Sequence, residues 1–205
     1  MEILPHWQFI YTISLDYPNQ PDYQEVQNYK EFFVVLQYVI PCFQYRKHYV
    51  TYLATHPADY VLDNRMTLLH WVINLHPQHT PLKQLSKSSM NKIIWQYLHQ
   101  ICSHYPPNPT FQEVLFYKNF FLTLQNVLPK GCYRRKYVQQ FNQIPIDRYM
   151  SSRQQMVNWI IMLNKRIDVN INYVVEHFTD YDTVILTTSI MLIIGVIVYY
   201  QLTRH

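Results

Sequence analysis

Trp7-Gln8-Phe9-Ile10 returns 88 residues later as Trp95-Gln96-Tyr97-Leu98. The same offset carries Tyr17-Pro18 onto Tyr105-Pro106, Gln24-Glu25-Val26 onto Gln112-Glu113-Val114 and Phe32-Phe33 onto Phe120-Phe121. Tyr45-Arg46 recurs as Tyr133-Arg134, and Trp71 as Trp159. Laid over each other without a gap, positions 7–79 and 95–167 agree at more than a third of their places, which marks a duplicated unit. Each copy is near the lower size limit for a self-sufficient core, so two copies packed together bury far more than either alone.

The residues between these landmarks read as helices. Asp22-x-x-Glu25 and Thr110-x-x-Glu113 are capping boxes at the same place in each copy. In such a box the cap oxygen accepts one free backbone N–H and the glutamate reaches back to another. Val26, Tyr29, Phe33, Leu36 and Ile40 follow at three- and four-residue spacings, an apolar stripe along one helix face. Pro18 and Pro21 separate the first helix from the second, as Pro106, Pro107 and Pro109 do later, and Pro41 and Pro129 end the second helices. The expected helices are 5–17, 23–40, 43–55 and 65–76, then 91–105, 111–128, 131–142 and 152–165. With 49% hydrophobic residues and two glycines in 205, the chain reads as all-α. The expected domains are a bundle over 1–83, a linker over 84–94 within a polar stretch that starts at Thr80, and a second bundle over 95–175.

Thr183 to Tyr200 holds no charge over 18 residues. As a helix it measures about 27 Å, against about 30 Å for a bilayer core. Tyr199 and Tyr200 sit where an interfacial aromatic belt belongs. The expectation is a single-pass C-terminal anchor over 183–202, with residues 1–180 on the cytosolic side. Charge alone favours the reverse orientation, because Arg204 lies on one flank and Asp180 and Asp182 on the other. The net charge of +4 shows no long basic run or aromatic-basic alternation, which argues against nucleic acid as a partner. Three cysteines, Cys42, Cys102 and Cys132, sit at unrelated places in the repeat, so no disulfide framework follows. His76-x-x-His79 has metal-like spacing, but Pro77 interrupts it and no third ligand is evident, so no metal site is expected.

The order of motifs resembles the Erv/ALR flavin-dependent sulfhydryl oxidases: Trp-x-x-Leu-His, Tyr-Pro, Pro-Cys-x-x-Cys before a basic-aromatic patch, then Trp with His-Asn-x-Val-Asn. Trp95-Gln96-Tyr97-Leu98-His99 with Tyr105-Pro106 is similar to its opening. Trp7 to Tyr11 with Tyr17-Pro18 also matches, except for tyrosine at the histidine place. Pro41-Cys42-Phe43-Gln44-Tyr45-Arg46-Lys47-His48-Tyr49 stands where the cysteine motif belongs, and Trp71 and His76 where the later Trp and His belong. The likeness covers 7–83 and again 95–170. It implies two tandem four-helix bundles, paired within one chain as a pseudodimer where the family pairs two chains.

The family reaction needs two cysteines three apart at a helix start, where the N-terminus favours the thiolate. The first copy has Cys42 and Tyr45; the second has Lys130 and Tyr133, with Cys132 between them. On that ground the sequence reading expects a non-enzymatic, membrane-anchored structural or interaction protein with no catalytic residues, no cofactor and no small-molecule substrate. The resemblance and composition extend this to a large DNA virus, with a minor capsid or inner-membrane protein linking membrane to capsid, in a virion inner membrane or host endoplasmic reticulum. The alternative is an FAD-dependent thiol oxidoreductase or a non-catalytic partner of one. If FAD is kept, the resemblance assigns it to Trp7, His48, Trp71, His76, Lys83, Trp95 and His99. Arg46, Lys47, Arg134, Arg135 and Lys136 form the expected interaction surface, suited to an acidic partner or lipid headgroups.

Overall fold

The computed structural model describes residues 6–75 and 87–167. Helix α1 spans His6–Leu15, α2 Tyr23–Val39, α3 Phe43–Thr55, α4 Arg65–Leu75, α5 Lys87–Ser103, α6 Phe111–Val127 and α7 Cys132–Gln143. Residues 153–167 form α8. Short 3₁₀ turns at Ala58–Tyr60 and Ile146–Tyr149 precede α4 and α8. No strand occurs among the described residues, and the all-α expectation holds. Helix α5 begins at Lys87, four residues before the expected 91, because its polar first turn of Lys and Ser is compatible with helix.

Both capping boxes form. Glu25 N–H donates to Asp22 Oδ1 at 2.7 Å, and Asp22 N–H donates back to Glu25 Oε2 at 3.1 Å. Glu113 N–H donates to Thr110 Oγ1 at 3.3 Å, and Thr110 N–H donates back to Glu113 Oε2 at 2.8 Å. Thr110→Ala is expected to cost about 1 kcal/mol of stability, read as a lower denaturant midpoint at unchanged slope.

The repeat is written into side-chain bonding as well. Tyr17 Oη donates to Leu62 O at 2.6 Å, and Tyr105 Oη to Met150 O at 2.8 Å. Tyr49 and Tyr137 donate in the same way to Phe33 O and Phe121 O. Arg65 Nε reaches Tyr17 O at 2.5 Å, and Arg153 Nε reaches Tyr105 O at 2.6 Å. Trp71 Nε1 donates to His56 O at 2.8 Å, and Trp159 Nε1 to Ile144 O at 2.9 Å. Each of these hydroxyl, guanidinium and indole groups thus finds its partner in a backbone carbonyl.

The described residues up to Asn164 belong to one compact unit. Within it, α2 packs along α6, and α1 packs against α4 and α5. Helix α2 buries Tyr29, Phe32, Phe33, Val35, Leu36 and Val39; α6 buries the six residues at the 88-residue offset, Tyr117, Phe120, Phe121, Thr123, Leu124 and Val127. The two helices run antiparallel. Tyr29 Oη, near the start of α2, donates to Val127 O at 3.4 Å, and Tyr38, near its end, stacks on Phe116 with centroids 3.8 Å apart.

Among the described residues no helix is long and apolar enough to cross a membrane. The expected span over 183–202 lies outside the described residues.

Candidate functional site

Helix α3 opens at Pro41-Cys42, with Cys42 as its N-cap in an extended conformation and making no side-chain capping bond. Its thiol is half-buried and free. Three residues on, Tyr45 turns inward. Its hydroxyl is buried with no hydrogen-bond partner, and its ring stacks on His6 at 4.9 Å. His6 in turn meets Tyr97 of the second repeat edge-on at 5.5 Å. Burial pushes the Tyr45 phenol well above its ordinary range.

His6 is 3% exposed, and neither ring nitrogen has a partner. Burial, helped by repulsion from His104, brings its pKa from 6.5 down to about 4. The unfolded chain therefore takes up this proton at a higher pH than the folded one. Stability is complete above pH 6.5, falls as pH drops toward about 4, and levels off below. His6→Phe is expected to remove that slope, read as denaturant midpoints across the same window.

The second repeat places Lys130 where the first has Cys42. Its N–H donates to Asp16 Oδ2 at 2.6 Å, and its ammonium pairs with Glu25 Oε1 at 2.6 Å, tying the repeats together. The Lys130 hydrogen bond, followed by the Asp22 N–H, holds the Glu25 carboxyl below its ordinary range. Cys132 is exposed as the first residue of α7. Cys102 is buried within α5, and burial pushes its thiol well up. Cys42 is thus the one thiol that combines the motif position with access.

The expected flavin-cradle residues fall into two groups. In the first repeat Trp7 is buried, with the Tyr11 ring 5.8 Å away. His48 Nε2 lies 2.8 Å from Leu75 O, which joins α3 to the end of α4. Tyr52 stands between His48 and Trp71, with ring centroids 6.3 and 5.4 Å away, and its hydroxyl donates to Trp71 O at 3.1 Å. These residues make an aromatic wall along α3 and α4. His76 and Lys83 lie outside the described residues. In the second repeat Trp95 is buried and faces Tyr133 at 6.2 Å, whereas His99 is exposed, with Nδ1 3.4 Å from Ser103 Oγ.

The expected basic surface divides. Lys47 and Arg135 are exposed. Arg46 Nε donates to Ile40 O at 2.9 Å and Arg134 Nε to Leu128 O, so both half-buried arginines fasten the end of the preceding helix. Lys136 is 8% exposed, contrary to its place in the expected interaction surface. No cluster of three His, Cys, Asp or Glu side chains suited to a metal occurs among the described residues.

Comparison with known proteins places this geometry. Residues 5–83 match the model of the Erv1 / Alr family. Over 75 residues the chain is 35% identical to the probable FAD-linked sulfhydryl oxidase R368 of Acanthamoeba polyphaga mimivirus, which covers 36% of this chain and 52% of that protein. Over 70 residues it is 26% identical to the FAD-linked sulfhydryl oxidase ERV1 of Arabidopsis thaliana, which covers 34% of this chain and 36% of that protein. The chain thus spans about half the length of the first relative and about a third of the second. No solved structure matches. Over residues 5–83 the resemblance read from the motifs holds: the matches support an Erv/ALR-type fold, and the mimivirus relative supports an origin in a large DNA virus.

Two expectations are corrected. Both relatives are named as FAD-linked sulfhydryl oxidases, which points to an enzyme family and indicates FAD. The expectation of a non-enzyme without a cofactor, drawn from Tyr45 and Lys130, is overturned. The buried polar atoms of the first repeat fit such a group. Tyr45 Oη and both His6 nitrogens lack partners beside the Cys42 helix start, and native interiors rarely leave such atoms unpaired.

Proposed function

Taking residues 5–83 as an Erv1/Alr-type module, we propose that this chain is an FAD-linked thiol oxidoreductase, doubled into a pseudodimer and anchored to a membrane. Trp7, His48 and Trp71 would hold the cofactor in the first repeat, with His76 and Lys83 beyond the described residues. When bound, FAD accepts the two electrons released as two thiols become a disulfide. Cys42 is the substrate-facing thiol. With Tyr45 in the second cysteine place, the sulfur that pairs with Cys42 comes from a substrate thiol, and a second substrate thiol displaces the Cys42 thiolate from that mixed disulfide, so the substrate is a protein or small thiol.

Its half-buried position at the start of α3, inside the matched segment, is the observation that carries this reading. The pseudodimer is supported by residues that meet their own repeat images. Phe9 stacks on Tyr97 at 4.3 Å, and Phe32 lies 6.2 Å from Phe120. Such self-pairing is how an isologous twofold interface is built. Residues 183–202 supply the anchor, and exposed Lys47 and Arg135 face an acidic partner or lipid headgroups, which would suit a thiol oxidoreductase at a virion inner membrane or host endoplasmic reticulum, in contact with capsid components.

The test is purification of the full chain in detergent. The expected result is a yellow protein whose denatured supernatant contains FAD. A colourless chain that takes up no FAD on incubation would overturn the proposal.

A further inference from the structure

The start of α7 crosses to the other repeat. Lys130 N–H donates to Asp16 Oδ2 at 2.6 Å, and Arg134 Nη2 lies 3.9 Å from the same oxygen. The 88-residue images of Lys130, Asp16 and Arg134 are Cys42, His104 and Arg46. The backbone is held alike at both places. Tyr17 N–H donates to Ser14 O and Tyr105 N–H to Cys102 O, both at 3.2 Å, so the turns that carry Asp16 and His104 match. Arg46 and Arg134 fasten Ile40 O and Leu128 O, so the segments that carry Cys42 and Lys130 match. A twofold relation between the repeats then sets Cys42 across the interface from His104.

Two contacts at the Cys42 end agree. Arg46 lies within electrostatic reach of Tyr117, as Arg134 does of Tyr29, and Tyr117 Oη donates to His104 O at 3.5 Å. The charge of His104 also bears on His6, which stacks on Tyr45, one turn along α3 from Cys42. The imidazole has a free face. His104 is exposed, and its Nδ1 lies 2.9 Å from Gln100 O. A carbonyl only accepts, so Nδ1 carries the hydrogen and Nε2 keeps its lone pair. Glu113, the image of Glu25, is committed elsewhere: Thr110 N–H and its hydroxyl donate to Glu113 Oε2 at 2.8 Å each.

We propose that His104 of the second repeat takes the proton of the Cys42 thiol and stands as an imidazolium beside the thiolate. The proton passes from Cys42 Sγ to His104 Nε2. It returns to that sulfur when the second substrate thiol displaces it from the mixed disulfide. No electrons pass through the imidazole. The proposal rests on the reading of Cys42 as the reactive thiol and of the repeats as a twofold pair.

The test is alkylation of Cys42 by iodoacetamide in the full chain in detergent near neutral pH, followed by the mass of the Cys42 peptide. This readout needs no bound flavin, so it succeeds or fails independently of the oxidase reading. His104→Gln is expected to slow alkylation about tenfold or more, and His104→Arg, which keeps a cation there, to hold the native rate. His104→Cys is expected to form a bridge to Cys42 on oxidation with diamide, which requires Cα atoms within about 7 Å. Circular dichroism confirms that each variant is folded. A native rate in His104→Gln would overturn the proposal. So would equal slowing in His104→Gln and His104→Arg, which marks a structural role, or the failure of His104→Cys to bridge to Cys42.

Discussion

Phe120→Ala is expected to lower the unfolding free energy by about 3–5 kcal/mol, the usual range for emptying a buried phenylalanine site. Phe120 is fully buried. Its ring lies 5.2 Å from Phe121, 6.2 Å from Phe32 and 6.4 Å from Phe9, so the cavity opens where α1 and α2 of the first repeat meet α6 of the second. Phe32→Ala should cost a similar amount for the same reason, since Phe32 is also fully buried. The two rings share one site, so the double variant should lose less than the sum of the singles. Chemical denaturation with one transition for the fluorescence and circular dichroism signals is the measurement. A loss below about 1 kcal/mol for Phe120→Ala, or strict additivity, would show that the repeats do not rely on this contact.

Cys42→Ser is expected to reduce thiol-dependent oxygen uptake at least about a hundredfold while leaving FAD bound, because a hydroxyl cannot enter a disulfide. The contrast is Cys132→Ser. Cys132 is free and more exposed than Cys42, but it heads α7 of the second repeat, where Lys130 holds the place of Cys42 and is committed to Asp16 and Glu25. Uptake should be unchanged in Cys132→Ser. Full activity in Cys42→Ser, or its loss in Cys132→Ser, would move the reactive sulfur to the second repeat.

Much of the scaffold was legible in the sequence because the informative residues act locally. A capping box needs only four residues, and prolines stop helices wherever they stand, so α2 and α6 were placed within a residue of their ends. The apolar stripe likewise named Tyr29, Phe33 and Leu36, all of which α2 buries. The basic patches were misread because charge type carries no information on burial. Arg46 and Arg134 bind backbone carbonyls left open at the ends of α2 and α6, and Lys136 is enclosed. A proline followed five residues later by arginine, in Pro41 to Arg46 and again in Pro129 to Arg134, was the available signal. His6 was passed over because its image is the apolar Ile94, so the repeat gave no hint of a buried imidazole.

The chemistry was misjudged for a different reason. The absence of a cysteine at position 45 is plain in the sequence, but it does not remove the aromatic wall formed by His48, Tyr52 and Trp71. Scaffold and sulfur pair are separable features: residues 5–83 match the family with tyrosine at position 45.

Oxygen consumption by the purified full chain with dithiothreitol as electron donor tests the central claim most directly. The account predicts catalytic uptake by a yellow protein, with one hydrogen peroxide formed for each disulfide. A flavin-loaded chain that consumes no oxygen above the rate of free FAD would contradict it.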